Sequence, residues 1–318
     1  MIEGNIIKVC FIGACGHWLQ VLRYLKTRED VLFCGFAPGS SEEDSPQSID
    51  PAIPYFDDYQ AMLDATKPDL AVIAPIFGLT GRIAIECANR GIDVFAEKPV
   101  AASFAELKQL EAAVKNRGIR FCAMHSLRYT PAFYHGAALV RSGAIGNVKL
   151  VTAQKSYKYG TRPAWYSDPD SYGSTATWVG IHAMDWIFHF TGLPFTSVSA
   201  ISDSCMPEKA MLCQFTLEGG AVASVSLDYY RPSTATTHGD DRIRCVGDKG
   251  ILEVCENRIC LINQDGPQLL SPEEAPELLS EFLAGHDPLP LSEILHITKA
   301  AIAAREAALT GKSVSIGE

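Results

Sequence analysis

With 318 residues, the chain is long enough for about two domains of roughly 150 residues each, which excludes a small disulfide-stapled scaffold. It has 27 Lys and Arg against 37 Asp and Glu, so the formal net charge is -10 and the pI is near 5.3. This charge repels nucleic acid and anionic lipid surfaces, and the apolar content of 47% excludes a disordered protein.

The cysteines and the apolar runs bear on the compartment and on metal binding. The ten cysteines form no C-x-x-C pair and no Cys/His cluster at zinc-ligand spacing, and most lie in apolar runs, which is typical of buried free thiols in a reducing compartment. The longest strongly apolar stretch, residues 70–81, is too short to span a bilayer, and the first strand-like run starts too early for a signal peptide. We therefore expect a cytoplasmic protein without a metal site.

The first part of the chain alternates short apolar runs with helical patterns. The helical segment that contains Leu107, Leu110 and Val114, for example, has one apolar face and stops at Gly118. This alternation is typical of a parallel sheet flanked by helices, so we predict a doubly wound Rossmann domain over residues 1–123. The predicted strands are residues 6–12, 31–37, 70–74, 92–96 and 119–123.

The pattern changes after about residue 124. A helical stretch over residues 131–142 is followed by neighbouring strand-like runs that are separated by turn signals, which is typical of a largely antiparallel sheet. We therefore predict an α+β domain over residues 124–318. Its predicted strands are residues 148–157, 197–202, 210–217, 221–229 and 242–246.

A glycine turn follows the first predicted strand and precedes a helix. This is the context in which backbone N–H groups and a helix N-terminus bind a dinucleotide pyrophosphate. The G-x-G-x-x-G pattern is degraded, because Cys15 and Trp18 occupy the second and third glycine positions. The segment therefore predicts either a cofactor site or only a tight strand-to-helix turn. The residues in question are Gly13, Cys15, Gly16, His17 and Trp18.

The ends of the second and third strands also bear on the cofactor. The second strand ends at Ala37, where NAD-binding proteins place a carboxylate for the ribose 2′-hydroxyl. The loop that follows could therefore accept a 2′-phosphate, with Ser40 as a hydrogen-bond partner, although no arginine is nearby. We expect NAD or NADP, with NADP slightly favoured. The third strand ends at Ala74 and Pro75, which we place beside the same cofactor.

The fourth strand runs into Glu97-Lys98-Pro99. By itself, a Lys-Pro pair after a strand is more often a capped turn than a catalytic site. The stretch nevertheless resembles the E-K-P signature of the glucose-fructose oxidoreductase and inositol dehydrogenase family (Gfo/Idh/MocA). Further similarities follow in family order along nearly the whole chain: Arg128-Tyr-Thr-Pro131, Ser142-Gly-Ala-Ile-Gly146, Gly180-Ile-His182-Ala-Met-Asp185, Val246-Gly-Asp-Lys-Gly250 and Leu309-Thr-Gly-Lys312.

The resemblance implies a fold and a set of roles. It implies an N-terminal Rossmann domain that binds NAD or NADP, with Glu97 and Lys98 beside the cofactor, and a C-terminal sheet domain that binds substrate. Lys98 would be catalytic, donating hydrogen bonds to the reacting oxygen, and its bond to Pro99 is often cis in relatives. Arg128 would contact substrate. Relatives commonly associate through the open face of the C-terminal sheet, so we expect a homodimer or homotetramer.

The predicted helix around residues 178–189 carries the second catalytic candidate. The family normally has an Asp and a His four residues apart here, but this chain has Trp178 before His182. The periodicity predicts an apolar face against the sheet and an opposite face, with Trp178, His182 and Asp185, in a cleft. A lone histidine is more often structural, but the resemblance favours His182 as the acid/base residue. Trp178 either stacks on substrate or cofactor, or fills the interdomain core.

An aromatic and basic segment precedes this helix. Its rings and basic groups suit a sugar or polyol, because rings stack on C–H faces while polar tips bind hydroxyl groups. The alternative is a surface loop with a buried aromatic anchor. The candidate substrate residues are Tyr157, Arg162, Trp165 and Tyr166.

These features predict an NAD(P)-dependent oxidoreductase that transfers a hydride between the nicotinamide and a carbohydrate-like alcohol or carbonyl. The departures at Cys15, Trp18, Ala37 and Trp178 leave two alternatives. One is a non-catalytic sensor or scaffold that binds a nucleotide or a sugar. The other is an enzyme that keeps its cofactor bound and uses transient oxidation for an elimination or isomerisation.

Overall fold

A computed structural model describes residues 6–41, 43 and 50–317, and the chain divides into two compact units. The first unit covers the chain up to Met124 together with two later segments, Asp170–Tyr172 and Asp287–Leu295. The second unit comprises His125–Pro169, Gly173–His286 and the chain from His296 onward. The single domain boundary at residues 123/124 stays a prediction.

The first unit is built on a five-stranded parallel sheet in the order β2-β1-β3-β4-β5. Its inner strands are almost completely buried, because helical segments connect parallel strands and cover both faces. The direction of the strand order reverses at β1, so the carboxyl ends of β1 and β3 form the switch point at which such sheets bind ligands. The strands are β1 (Ile7–Ile12), β2 (Val31–Ala37), β3 (Leu70–Ile73), β4 (Asp93–Ala96) and β5 (Phe121–Ala123).

Helices of this unit begin and end where the local chemistry predicts. Before the fourth helix, the Ser103 hydroxyl accepts a hydrogen bond from the Glu106 N–H at 3.2 Å, and the Glu106 carboxylate accepts one from the Ala102 N–H at 2.6 Å. Gly118 ends the helix with φ at 64°. The helices are α1 (Trp18–Leu25), α2 (Tyr59–Thr66), α3 (Thr80–Asn89) and α4 (Phe104–Arg117).

The second unit contains a nine-stranded sheet in the order β13-β12-β11-β10-β6-β9-β8-β7-β14. All its named pairings are antiparallel except that of β6 with β9. The predicted fold class is therefore confirmed, and the sequence missed the last four strands. The strands are β6 (Val148–Tyr157), β7 (Phe195–Ser202), β8 (Ala210–Leu217), β9 (Val222–Asp228), β10 (Gly239–Gly247), β11 (Ile251–Cys255), β12 (Arg258–Asn263), β13 (Gly266–Leu270) and β14 (Val314–Ser315).

The remaining helices are α5 (Pro131–Arg141), α6 (Pro169–Tyr172), α7 (Ile181–Thr191), α8 (Leu278–Leu283) and α9 (Leu291–Thr310). Helices α5 and α7 contact each other, and α7 also contacts β6 and β10. Across the part of the chain that the structure describes, none of the helices combines the length and the apolar composition needed to cross a membrane.

The two faces of the nine-stranded sheet differ. Inward positions such as Val151 and Val225 are at most 1% exposed. The opposite face exposes some large apolar side chains. Leu150 lies opposite Val222 on the adjacent strand, and Leu212 projects from the strand beyond. These three side chains are 38%, 45% and 54% exposed. This outer face therefore combines exposed apolar side chains with polar ones.

Candidate active site

The glycine turn of the first unit lies on the carboxyl ends of three strands. Gly13 N–H donates to the Ala37 carbonyl at 2.8 Å, and Cys15 N–H donates to the Ala74 carbonyl at 2.7 Å. Gly13 has φ at 80°, and a Cβ atom there would lie 2.4 Å from the Pro75 Cα. Only glycine is compatible with this approach. The structure therefore brings together the predicted residues Gly13, Cys15, Ala37, Ala74 and Pro75 at the switch point of the sheet.

Helix α1 starts directly after this turn, and its first residue fills space in the core. The Trp18 side chain is 6% exposed, and its ring meets those of Phe11 and Phe36 edge-on at centroid distances of 6.3 and 5.8 Å. In the dinucleotide fingerprint a glycine at this position allows close packing of helix and strand. Here an indole takes that space. The predicted contact of Trp18 with a cofactor stays a prediction, as does that of Gly16, which is exposed with φ at 66°.

Glu97 holds the turn in place. Its carboxylate is fully buried and accepts hydrogen bonds from the His17 N–H at 2.7 Å, from His17 Nδ1 at 2.8 Å and from the Lys98 N–H at 3.0 Å. Burial raises the pKa of Glu97. The charges of His17 and Lys98 and the hydrogen bonds from His17 lower it by a larger amount, so the pKa of Glu97 is below its ordinary value. The ionised carboxylate thus ties the end of β4 to the residue that precedes α1.

Lys98 lies directly after Glu97 at the carboxyl end of β4. Its residue is 1% exposed, and the Lys98–Pro99 peptide bond is cis, as the resemblance implied. Lys98 is thus a buried lysine at the carboxyl end of β4. The E-K-P motif therefore joins a carboxylate that orders the glycine turn and a buried lysine that follows it directly in the chain.

Sequence reasoning missed one carboxylate of this region. Glu43 accepts hydrogen bonds from the Gly39 N–H at 3.1 Å and from the Ile76 N–H at 2.8 Å, beyond the ends of β2 and β3. Burial raises its pKa, and the backbone hydrogen bonds offset part of that rise. Ser40, the predicted partner of a 2′-phosphate, is half-buried in the same loop.

In the second unit, His182 lies near the start of α7 and is 1% exposed. Its ring is 6.3 Å from that of His125, with the two planes at 78°. Every residue from Ile181 to Ile187 is buried, so the predicted division of this helix into a sheet face and a cleft face stays a prediction. A π-helical turn, Ala176–Gly180, precedes α7 and changes the angular spacing, so Trp178 and His182 do not follow a 3.6-residue period.

Asp185 organises the interior of this region. Arg128 donates to its carboxylate through Nε at 3.0 Å and through Nη2, and His125 Nδ1 lies 3.7 Å from the same carboxylate. Arg128 and Asp185 are 3% and 0% exposed. Burial raises the pKa of Asp185, but Arg128 and His125 lower it to below its ordinary value. The Asp185 carboxylate thus holds the Arg128 guanidinium in place, while the predicted substrate contact of Arg128 stays a prediction.

His189 lies one helical turn beyond Asp185 in the same helix. Burial lowers its pKa to about 3, and the charges of Arg128 and Arg141 act in the same direction. Its imidazole is therefore neutral across the physiological pH range.

The predicted aromatic and basic segment forms a cluster in the second unit. The Arg162 guanidinium carbon lies 5.2 Å from the Tyr166 ring centroid, and the Trp165 and Tyr166 rings are 4.4 Å apart. Tyr157 lies 4.6 Å from the Lys155 Nζ. Arg162, Trp165 and Tyr166 are therefore near one another. The Tyr166 side chain is 5% exposed, which is compatible with a substrate site and also with a surface loop that has a buried aromatic anchor, so both alternatives stay predictions.

Lys155 is a further residue that sequence reasoning missed. It is fully buried on β6, and its Nζ lies 2.7 Å from Asp241 Oδ2 and 4.6 Å from the ring of Trp186. Burial lowers its pKa to about 8, although Asp241 acts in the opposite direction. The alternation of Val151, Ala153 and Lys155 along the strand places this lysine on the inward face, and that was the available signal.

Comparisons with known proteins agree with this geometry. Residues 7–125 match the model of an oxidoreductase family with an NAD-binding Rossmann fold, Gfo/Idh/MocA, and residues 135–253 match that family's C-terminal domain. The chain belongs to the Gfo/Idh/MocA family. The predicted resemblance is confirmed, and the chain is a member of a family of NAD-binding oxidoreductases.

A solved structure from Thermotoga maritima, described as an oxidoreductase, is 36% identical, with a TM-score of 0.92 over 97% of this chain and 100% of that one. Among curated relatives, levoglucosan dehydrogenase of Pseudarthrobacter phenanthrenivorans is 28% identical over 48% of this chain and 40% of its own length. D-xylose 1-dehydrogenase (NADP(+)) 2 of Haloferax volcanii is 27% identical over 55% of each chain. The matched stretch thus spans about half the length of these two relatives.

Trp178 is where this Gfo/Idh/MocA chain departs from the family pattern. The residue lies in the π-helical turn, where its backbone N–H donates to the Ser174 carbonyl at 3.0 Å. Trp178 is 8% exposed. The indole is thus buried, and the choice between stacking on a ligand and filling the core stays open as a prediction.

Proposed function

We propose that the chain is an NAD(P)-dependent dehydrogenase or reductase that acts on a carbohydrate-like alcohol or its carbonyl form. The observation that carries this proposal is the buried Glu97-Lys98 pair, in which Glu97 holds the glycine turn through His17 and Lys98 follows directly. Membership of an oxidoreductase family and the relatedness to levoglucosan and D-xylose dehydrogenases support it.

The turn suits a dinucleotide. Gly13 allows the backbone to approach the ends of β2 and β3 closely, and the N-terminus of α1 follows at the switch point. When bound there, the cofactor supplies the hydride acceptor or donor. The residues that hold it are those of the turn, Gly13 to Trp18, with Ala37, Ser40, Ala74 and Pro75 beside it.

Lys98 and His182 carry the protein's part of the chemistry. The Lys98 ammonium donates hydrogen bonds to the reacting oxygen and stabilises negative charge that develops there. His182 accepts the hydroxyl proton during oxidation and returns it during reduction, a contribution of about 10²–10⁴ in rate. Asp185 keeps Arg128 and His125 in place around this helix and does not itself exchange protons.

The preference between NAD and NADP depends on two opposing features. Ala37 lacks the usual carboxylate, which favours NADP, but Glu43 places a carboxylate beyond the ends of β2 and β3. A negative charge there disfavours a 2′-phosphate. We infer that NADH binds at least as tightly as NADPH, in contrast to the preference expected from Ala37 alone.

The second unit supplies the substrate site and the contact between subunits. Tyr157, Arg162, Trp165 and Tyr166 combine rings and a guanidinium group, as a sugar or polyol requires. The outer face of the nine-stranded sheet, with Leu150, Leu212 and Val222 exposed, is the surface through which a homodimer or homotetramer forms.

Turnover measurements test the catalytic roles. A panel of sugars, polyols and sugar acids is assayed with NAD and NADP, in both directions, by absorbance at the nicotinamide wavelength. Lys98→Ala and His182→Ala should each lower kcat by about two orders of magnitude or more while the circular dichroism spectrum is unchanged. Lys115→Ala is the matched control, because that lysine is exposed and pairs only with Glu111. Near-normal turnover by His182→Ala would assign the proton transfer to another group, with Tyr157 or Tyr166 next to be tested.

A further inference from the structure

Within the described residues, Arg162 lacks the carboxylate partner that several other arginines have. Buried or half-buried arginines such as Arg28, Arg128 and Arg231 each lie within 4.0 Å of an aspartate oxygen. Among the described residues, none places a carboxylate oxygen within that distance of Arg162. Its one hydrogen bond runs from Nη2 to the Lys158 carbonyl and is long, at 3.4 Å. The charge of Arg162 is therefore not neutralised by the protein.

Three tyrosine rings surround this guanidinium. Its central carbon is 5.2 Å from the ring centroid of Tyr166 and 5.9 Å from those of Tyr159 and Tyr229. The Nε atom is buried and has no hydrogen-bond acceptor within the part of the chain that the structure describes. The rings stabilise the cation through their π faces, but they offer no acceptor in the guanidinium plane. A buried charged donor without an acceptor is costly, so a ligand with an acceptor in the guanidinium plane would stabilise this site.

Two lysines lie near this cluster. Lys209 Nζ is 5.0 Å from the Tyr159 ring, and the ammonium of Lys158 is bound to the carbonyl oxygens of Ser233 and Ala235. The carboxylate of Asp241 is bound to Lys155. The lysine charges beside the Arg162 cluster favour an anionic ligand.

We propose that Arg162 binds a carboxylate of the substrate, so that the carbohydrate recognised by this protein is a sugar acid. This inference rests on the proposed function, because it assumes that the aromatic and basic cluster is the substrate site. The planar fork of Nε–H and Nη–H matches the two oxygens of a carboxylate. The tyrosine rings then face the C–H groups of the sugar.

A carboxylate suits the site better than a phosphate group. A phosphate dianion needs more than one cationic donor. Lys158 precedes Arg162 by four residues, and its ammonium already donates to two backbone carbonyls. Lys155 is neutralised by Asp241. One guanidinium with one unit of charge is thus matched to one carboxylate.

Calorimetric titration of the full-length protein with matched ligands tests the inference. The pairs are D-glucuronate with D-glucose and D-gluconate with D-glucitol, with D-glucose 6-phosphate as a further ligand. The acid should bind about tenfold or more tightly than its neutral partner, and Arg162→Gln should weaken acid binding by about 10- to 100-fold, as expected for a charged hydrogen bond. Binding of the neutral partner should change little. Arg242→Gln is the matched control, because Arg242 pairs with Asp240 at the surface.

The inference is overturned if the neutral sugars bind as tightly as the acids, if no acid in the panel binds, or if Arg162→Gln leaves acid binding unchanged. Tighter binding of the phosphosugar than of the acids also contradicts it. Arg162→Lys keeps the charge but not the fork, so it should restore only part of the affinity for the acids. NADH binding, measured on the same samples, is a separate readout. If NADH does not bind, the proposed function is overturned. If NADH binds but Arg162→Gln leaves the affinity for the acids unchanged, only the inference about Arg162 is overturned.

Discussion

Replacing Asp185 by asparagine removes the charge that neutralises Arg128 in the interior of the second unit. The guanidinium donates to the carboxylate through Nε, at 3.0 and 3.3 Å to the two oxygens, and through Nη2. Both residues are at most 3% exposed. Asparagine preserves the size of the side chain, so the substitution isolates the charge. The variant removes one carboxylate charge from beside a buried guanidinium.

The expected cost of this change is about 3–5 kcal/mol, the range for breaking one partner of a buried ion pair. A surface pair gives the comparison. Arg90 pairs with Asp64, which is 71% exposed, and Asp64→Asn should cost less than about 1 kcal/mol because solvent screens that charge. The difference between the two variants measures the effect of burial on the same chemical substitution.

Urea unfolding followed by tryptophan fluorescence measures both free energies. Three of the four tryptophans, Trp165, Trp178 and Trp186, belong to the same unit as the ion pair, so the signal reports on that unit. Replacing both partners, Arg128→Met with Asp185→Leu, should recover part of the loss, because no unpaired charge remains. A loss below about 1 kcal/mol for Asp185→Asn would refute the reasoning, since it would mean that Arg128 does not depend on this carboxylate.

The same ion pair sets a pH dependence. Because the pKa of Asp185 in the folded protein is below its ordinary value of 3.8, its stabilising effect is complete above that value and is lost as the pH falls through the folded pKa. The difference in unfolding free energy between the native protein and Asp185→Asn should therefore shrink in acid. A difference that grows as the pH falls would contradict the direction of the shift.

The remaining predictions concern four other features. Lys155→Met tests the buried lysine, whose pKa is lowered from 10.5 to about 8. As the pH rises between those two values, the unfolding free energy of the native protein should increase relative to that of the variant, by up to about 3 kcal/mol. A difference in unfolding free energy that does not change with pH would refute this. Glu43→Gln should raise NADPH affinity relative to NADH several-fold in fluorescence titrations; an unchanged ratio would remove Glu43 from cofactor selection. Leu212→Asp places a charge on the exposed sheet face and should shift sedimentation towards the monomer, whereas Leu309→Asp, at another exposed leucine, should not. Gly13→Ala should lower the melting temperature by several degrees, because the added Cβ atom would lie 2.4 Å from the Pro75 Cα. An unaltered melting temperature would show that the turn adjusts.

Much of the fold could be predicted because its strands are buried in a simple pattern. The apolar runs that end at Ile12, Ile73 and Ala96 are buried on both faces of a parallel sheet, so hydrophobicity alone marks them. Strands β11 to β13 were missed, because each has only five or six residues and the polar turns between them interrupt the apolar pattern. The π-helical turn before α7 was also missed, since a pattern of apolar residues does not reveal an inserted residue in a helix.

The site could be predicted only as far as local motifs extend. Glycine turns and the E-K-P sequence are contiguous, so they mark Gly13 and Lys98 directly. The interactions that organise the site join residues far apart in the chain: Arg128 with Asp185 across 57 positions, Lys155 with Asp241 across 86. Sequence spacing carries no information about such pairs. The predicted roles of Arg128 and Glu97 were incomplete for this reason, because their partners could not be identified.

The central claim is that this protein binds a nicotinamide dinucleotide for hydride transfer, and a titration with NADH and NADPH tests it most directly. The reduced cofactor is added to the purified protein while tryptophan is excited and nicotinamide emission is recorded, and NAD or NADP is then added as a competitor. The account predicts a saturable signal, at least as tight for NADH as for NADPH, that the oxidised form displaces. The absence of a saturable signal with either cofactor, or a signal that the oxidised form does not displace, would contradict the claim and favour a sensor or scaffold.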